Sequence, residues 1–434
     1  MLEKIANIFR VPELRKRIGF TMLMIFIYRV GGHIPTPGID PAKLSNLISQ
    51  VQNNLFGMFD MFVGGNLQRA TIFALGIMPY ISASIIIQLL GTVFPYFHKL
   101  QREGAEGRKK LTQYTRYGTV FIALIQSTGI AIWLLSNDVV MDNMARWQFM
   151  FITMISFTTG TIFIMWLGEQ ITNRGIGNGI SLIIFIGIVA RIPDALLGEI
   201  QLVTSGVHHP LMSLGMLAIV LAMTAIIIVG YQATRRIPIQ TPKKVVGTKM
   251  YQGQNTVLPL RLLMAGVIPM IFASSIMMMP SMIGNFFGDS EFVQSVLGAL
   301  QPGKWLYSII FGLLIIFFTY FYTAIIFNPV DIADNLKRSG GFIPGIRPGK
   351  KTAEFLDNVL TRITLPASIF LAFISIVPFL FMGLFKFSFY FGGTSVLIVV
   401  GVALDTLQQI ESHLQTRNYE GFLKKGRLRG RRFY

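Results

Sequence analysis

The sequence predicts an all-α multi-pass membrane protein: ten transmembrane helices in two inverted five-helix halves, both termini cytosolic. Three observations carry that expectation. They are a series of long apolar runs, a one-sided distribution of positive charge, and a short motif that recurs in opposite membrane orientation.

The runs come first. The chain has 434 residues, 52% hydrophobic and only 13% charged. A bilayer core of about 30 Å takes about 20 apolar helical residues. Runs of that order lie at 18–34, 71–94, 114–135, 149–168, 178–190, 211–231, 262–283, 305–327, 363–383 and 392–404 with its continuation. The fifth is short. In water so much apolar surface would aggregate, which excludes a soluble protein. Cysteine is absent, so disulfides and thiolate metal sites are excluded too. RVPELRKR before the first run superficially resembles the start of a signal peptide. No small-x-small cleavage site follows, so the span reads as retained. Residues 2–9, LEKIANIF, read as an interfacial amphipathic helix or as a frayed terminus.

Charge gives orientation. With ten spans, the even connections and both termini share one side. All but seven of the 38 Lys and Arg lie there. The seven are Arg29, Lys43, Arg69, Arg146, Arg191, Lys304 and Lys386. The positive-inside rule makes the rich side cytosolic, and a miscount by one span would destroy the asymmetry. Most of the net charge of +18 is therefore topogenic. The resulting parse is a cytosolic segment 1–17, a first half 18–193, an external hinge loop 194–210, a second half 211–412 and a basic tail 413–434. Cytosolic loops 232–261 and 328–362 interrupt the second half.

The repeat sets the symmetry. GIMPYISAS at 76–84 and GVIPMIFAS at 266–274 agree at five of nine positions. The first lies in span 2, running inward, the second in span 7, running outward. That is the mark of two halves related by a twofold axis in the membrane plane. Pro79 and Pro269 each remove a backbone donor, and mid-helix each would bend its span. Ser82, Ser84, Ser274 and Ser275 could satisfy the freed carbonyls. Ile81 and Ile271 are equivalent and fall near the axis; Ile77 shares the face of Ile81. An apolar collar at that depth would exclude water and ions by dewetting. Ordinary core packing explains most such isoleucines equally well.

Ahead of span 2 stands NLFGMFDMFVGG, residues 54–65. At about 1.5 Å per residue this apolar piece reaches only about half the bilayer. It reads as an interfacial or re-entrant helix, with Gly64-Gly65 as a flexible joint.

Several chemistries are missing. Proton- and sodium-coupled transporters carry carboxylates in mid-membrane. Here Glu169 and Asp405 sit only near cytosolic ends. There is no HExxH and no GxxxxGK[ST]. His208-His209 falls in an external connection and reads as solvated. GIGNG at 175–179 reads as a tight interhelical turn. Nothing points to an enzyme or a cofactor. Loops 232–261 and 328–362 exceed what a connection needs. They mix Lys and Arg with Gly, Pro and apolar residues such as Phe342, Ile343 and Ile346, expected to be exposed. That composition suits docking of a large, even RNA-bearing, partner.

Five stretches then carry a resemblance: TIFALGIMPYISASIIIQLL, WLGEQITNRGIGNGISLIIF, AGVIPMIFASSI, FNPVDIADNLKRSGGFIPGIRPG and FYFGGTS. They resemble the SecY family, the channel subunits of the general protein-secretion translocon, in bacterial form. The likeness runs from about residue 13 to the end. It implies a clamshell hinged between spans 5 and 6, opening sideways between spans 2 and 7. It implies a pore ring at Ile77, Ile81, Ile180, Ile184, Ile271 and Ile398. It implies a plug at about 54–66, with Leu55, Phe56, Met58, Phe59, Asp60, Met61, Phe62, Val63, Gly64 and Gly65 as its residues. The plug would be a movable stopper resting against the external side of the ring. Lateral-gate residues would be Pro79, Ser82, Ser84, Gln126, Pro269, Ser274 and Ser275. Motor and ribosome docking would fall on Arg235, Arg236, Lys243, Lys244, Lys337, Arg338, Arg347 and Lys350, with Arg347 foremost. Implied partners are the membrane subunits SecE and SecG, the SecA motor ATPase, the translating ribosome, unfolded secretory and membrane polypeptides, and the bilayer of the cell membrane. The rival expectation is a secondary transporter of a small solute built on inverted repeats.

Overall fold

The computed structural model describes residues 11–40, 42–44, 47, 60, 62–141, 144–241, 244–246, 249–251, 255–284, 291–301, 303–385 and 393–425. The helical reading of residues 2–9, most of the half-length piece and the end of the basic tail lie outside them. Two compact units result: Met1–Asp194 with Asn285–Gly288 and Val402–Tyr434, and Ala195–Gly284 with Asp289–Gly401.

In the first unit the helices are α1 (Pro12–Gly31), α2 (Met78–Val93), α3 (Pro95–Arg102), α4 (Gly104–Ser136), α5 (Arg146–Arg174) and α6 (Gly179–Val189). α2 packs on α4, α4 on α5, and α5 on both α1 and α6. Pro95 cannot continue α2, so the chain bends by 101° into α3. Small residues allow the tight contacts. A Cβ on Gly160 of α5 would collide with the Ile72 carbonyl, so only glycine fits there. The GIGNG turn behaves as expected. Asn178 caps α6 by accepting from the Ile180 and Ser181 N–H groups, and Gly177 takes a positive φ of 86°. Thr21 Oγ1 and Gln409 Oε1 accept from the Ile176 and Gly177 N–H groups at 3.0 and 2.9 Å.

In the second unit α7 (Ile192–Thr204, which begins in the first) leads to α8 (Pro210–Gln232), α9 (Ile268–Gly284), α10 (Glu291–Ala299), α11 (Trp305–Ile326), α12 (Pro329–Arg338), α13 (Lys350–Phe385) and α14 (Gly393–Lys425, whose later part belongs to the first). α11 packs on α9 and α13. Between α8 and α9 four strands form two antiparallel pairs: β1 (Thr234–Gln240) with β4 (Asn255–Arg261), and β2 (Lys244–Val246) with β3 (Lys249–Tyr251).

Each of the ten expected spans falls on a helix: α1, α2, α4, α5, α6, α8, α9, α11, α13 and α14. Among the described residues seven helical stretches are long and apolar enough to cross a membrane alone, or eight when α2 and α3 count as one bent span. The expected external loop 194–210 is mostly helix. IPDALLGEIQLVT lacks an interior Pro or paired Gly, and the chain keeps turning as α7 until Thr204. His208 is not solvated either. Its Nδ1 lies 3.0 Å from Glu199 Oε1, which also accepts from Ser213 Oγ at 2.6 Å, and the His208 side chain is only 11% exposed.

Candidate functional site

The repeat is a repeat of structure. Residues 72–77 and 262–267 are both six-residue turns, and a helix starts directly after each. Gly76 and Gly266 both take positive φ, 55° and 60°. Their N–H groups donate three residues back, to Phe73 and Leu263 carbonyls at 2.9 and 3.3 Å. The Ile81 and Ile271 N–H groups bond the Ile77 and Val267 carbonyls at 3.2 and 3.3 Å. Pro79 and Pro269 are therefore not mid-helix kinks, as expected from span length. Each is the second residue of its helix, where the missing N–H would lack an intrahelical partner anyway. Spans 2 and 7 are short helices, each preceded by an irregular turn, and not long bent ones.

The expected ring and gate residues are buried or half-buried. Ile77, Ile81, Ile184, Ile271 and Ile398 are buried; Ile180 is half-buried, beside Gly168. Pro79, Ser82, Gln126, Pro269, Ser274 and Ser275 are buried and Ser84 half-buried. Ser274 Oγ donates to the Ile271 carbonyl at 2.9 Å, and Ser84 Oγ accepts from Gln88 Nε2 at 3.1 Å. Gln126 Oε1 is buried with no hydrogen-bond partner among the described residues. A buried acceptor left unmade costs about 1–3 kcal/mol, so this polar point in α4 carries a penalty.

Of the plug residues, Leu55, Phe56, Met58, Phe59 and Met61 lie outside the described residues. The base of the segment is well tied. Asp60, Phe62, Val63, Gly64 and Gly65 are all buried. Val63 O accepts from Tyr28 Oη at 3.2 Å and from Asn66 Nδ2 at 2.8 Å. Gly64, at φ 77°, lies backbone to backbone against Gly187 of α6; a Cβ on it would come within 2.8 Å of Gly187 Cα. Asp60 Oδ2 pairs with Arg191 Nη1 at 3.0 Å. Sequence reasoning missed Arg191, Tyr28, Asn66 and Gln68 here. The available signal was a lone Asp in an apolar piece and a lone Arg at the end of span 5, on the cation-poor side.

The long connections 232–261 and 328–362 form one folded module. Gln240 and Phe342 exchange two backbone hydrogen bonds of 2.9 Å, joining β1 to the segment after α12. Beneath them Ile237, Leu260, Phe327, Ile343, Leu356 and Leu360 make a small core, with Ile346 packed against it. The expectation of exposed apolar docking groups is thus corrected: Ile343 is buried, and Phe342 and Ile346 are half-buried. Their burial holds two separate loops together. The module exposes charge, alongside Val257 and Val330. Arg235, Arg236, Lys337, Arg338, Arg347 and Lys350 all reach solvent. Lys243 lies outside the described residues, and Lys244 is in β2. Arg347 sits in a turn between Gly345 and Gly349, at φ 80° and 100°, and Thr352 Oγ1 fixes its carbonyl at 2.9 Å.

Repeated apolar helices, two of them with matched irregular starts, a tied stretch at 60–65 and a basic folded module define a multi-pass membrane protein, and its likenesses place it in the class of protein-conducting channels. Among solved structures it is similar to a protein-conducting channel, with a TM-score of 0.66 and 17% identity over 96% of this chain and 95% of that one. It is also similar to a SecY structure whose plug domain is described as stabilising the closed translocation channel and maintaining a membrane seal (TM-score 0.65, 18% identity, 96% and 95% covered). The family model described as SecY matches residues 71–407. Protein translocase subunit SecY of Escherichia coli K12 is 47% identical, covering 96% of both chains. That of Aquifex aeolicus is 43% identical over 98% of this chain and all of its own. The chain belongs to the SecY family, the channel subunits of the protein translocase.

Proposed function

We propose that unfolded secretory polypeptides pass this channel through a collar of Ile77, Ile81, Ile180, Ile184, Ile271 and Ile398, and that hydrophobic segments leave sideways between α2 and α9. The observation that carries the reading is the identical broken start of these two helices, each presenting a buried isoleucine in its first turn. Aliphatic groups offer neither charge nor hydrogen bonds, so such a collar fits any sequence and still resists wetting. A hydrophobic signal segment moves toward lipid because burial of its apolar surface is favourable. Ser82, Ser84, Gln126, Ser274 and Ser275 form a gate seam that is polar enough to part. Residues 54–66 serve as the stopper.

The chain itself catalyses no reaction. Energy comes from the SecA motor or the translating ribosome, which dock on the exposed cations of the cytosolic module; SecE and SecG complete the membrane complex. Both termini face the cytosol, and the membrane is the cell's inner membrane. Photocrosslinkers at positions 84 and 274 test lateral release. An arriving signal segment should be captured at both, and not at Phe121, which is 66% exposed. Capture at 121 equal to that at the seam contradicts a lateral exit at this place.

A further inference from the structure

An apolar groove of about 640 Å³ runs between α1 and α5, within the first unit. One wall is Phe26, Val30 and Ile34 of α1; the other is Ile155, Thr159 and Phe163 of α5. Each wall advances eight residues, about 12 Å at 1.5 Å per residue. That is close to one leaflet, half of a bilayer core of about 30 Å. The floor is Phe73, which is 1% exposed and stacks on Tyr28 and Phe163 with ring centroids 5.9 and 6.0 Å apart. Packed rings therefore fix the groove's shape before anything enters it.

A partner's transmembrane helix suits this groove poorly. Such helices approach closely over small residues. Here the two glycines are already used: a Cβ on Gly31 would collide with the Phe73 ring, and one on Gly160 with the Ile72 carbonyl. The end of the groove at Ile34 carries positive charge instead. Residues 33–36 run beside 69–72, with the Ile72 N–H donating to the Ile34 carbonyl at 3.1 Å and the Thr36 N–H to the Ala70 carbonyl at 2.9 Å. This pairing brings Arg69 to His33. Arg69 Nη1 donates to His33 Nε2 at 3.1 Å, and His33 Nδ1 donates to the Arg29 carbonyl at 2.8 Å. Arg69 is exposed, and a guanidinium fork matches phosphate oxygens.

We propose that the groove binds one acyl chain of an anionic phospholipid, whose phosphate is held by Arg69 at the Ile34 end. An apolar trench alone takes any lipid; the cation at its mouth selects the anionic ones. With both termini cytosolic, the bound lipid belongs to the external leaflet, but its chemistry does not depend on that side.

The test uses the complete translocase in phosphatidylcholine vesicles that contain a minor share of phosphatidylglycerol with a diazirine in its acyl chain. Illumination should label peptides 26–34 and 155–163. Unlabelled phosphatidylglycerol should compete, and added phosphatidylcholine should not. Arg69→Gln should weaken the labelling about fivefold, the effect of one surface cation on an anionic lipid. Thr159→Trp fills the groove from an exposed position and should abolish it, while labelling around the exposed Phe121 persists in both variants. Equal competition by phosphatidylcholine overturns the proposal, as does full groove labelling in either variant. A photocrosslinker at position 159 identifies the occupant directly. Lipid captured there supports the proposal, and a partner subunit captured in its place overturns it.

Discussion

Replacing Ile81 and Ile271 together with glycine should make the idle channel conduct ions. Both side chains are almost fully buried, at 4% and 5% exposure, and they occupy matching positions in two first turns. Burial of one isoleucine side chain is worth about 1.5–3 kcal/mol, so losing two lowers the barrier to wetting by roughly 3 kcal/mol or more. That corresponds to a rise in leak on the order of a hundredfold. Planar-bilayer recording measures it. Each buried Ile→Gly also costs about 2–5 kcal/mol for the lost side chain and about 1 kcal/mol more for glycine over alanine, so conductance is compared at equal amounts of folded channel. Ile183→Gly is the control, since Ile183 is buried next in sequence to Ile184 but lies outside the proposed collar. A double variant no leakier than this control removes the collar from the account.

The second large effect is expected at Arg347. Charge reversal to Glu should cut motor-driven export by about a hundredfold, because placing like charges together across an interface costs several kcal/mol. Membrane insertion and abundance of the channel should not change, since the side chain is exposed and its turn is held by backbone features that the substitution leaves alone. Leu356→Ala offers the contrast. Leu356 is fully buried in the module core, and its truncation should cost about 2–5 kcal/mol, weakening the module as a whole. Export assays on inverted vesicles separate the two. Normal export by the Arg347→Glu channel removes this residue from the docking surface.

The membrane architecture was legible because it depends on quantities that sequence displays directly. Apolar length located all ten helices, and the Gly-Pro-Ile-Ala-Ser coincidences located the repeat. What sequence could not show was the phase of a proline within its helix. TIFALGIMP is apolar throughout, so hydropathy joined residues 71–77 to span 2, although Gly76 at positive φ ends one local structure and Pro79 begins the next. The connection at 194–210 was misread for a related reason. A polar-flanked junction looks like a loop, but nothing in IPDALLGEIQLVT stops a helix.

The site was legible unevenly. The proposed ring and gate positions follow from the repeat and the family stretches. The module did not, because Ile237, Ile343 and Leu356 are far apart in the chain and each looks like an exposed loop residue until the strand pair β1–β4 brings them together. Asp60 and Arg191, 131 positions apart, posed the same difficulty. Pairing at such separation is a property of the fold, and only their shared oddity as lone charges hinted at it.

The central claim is that a polypeptide passes between the isoleucines of the two matched helix starts. An arrested secretory chain, halted mid-transit by a folded domain at its end, tests it with photocrosslinkers placed at position 81, position 271 and the exposed Phe121. The account predicts crosslinks from both 81 and 271 to the same short window of the arrested chain, and none from 121. Labelling of the chain from 121 with silence at 81 and 271 would contradict it.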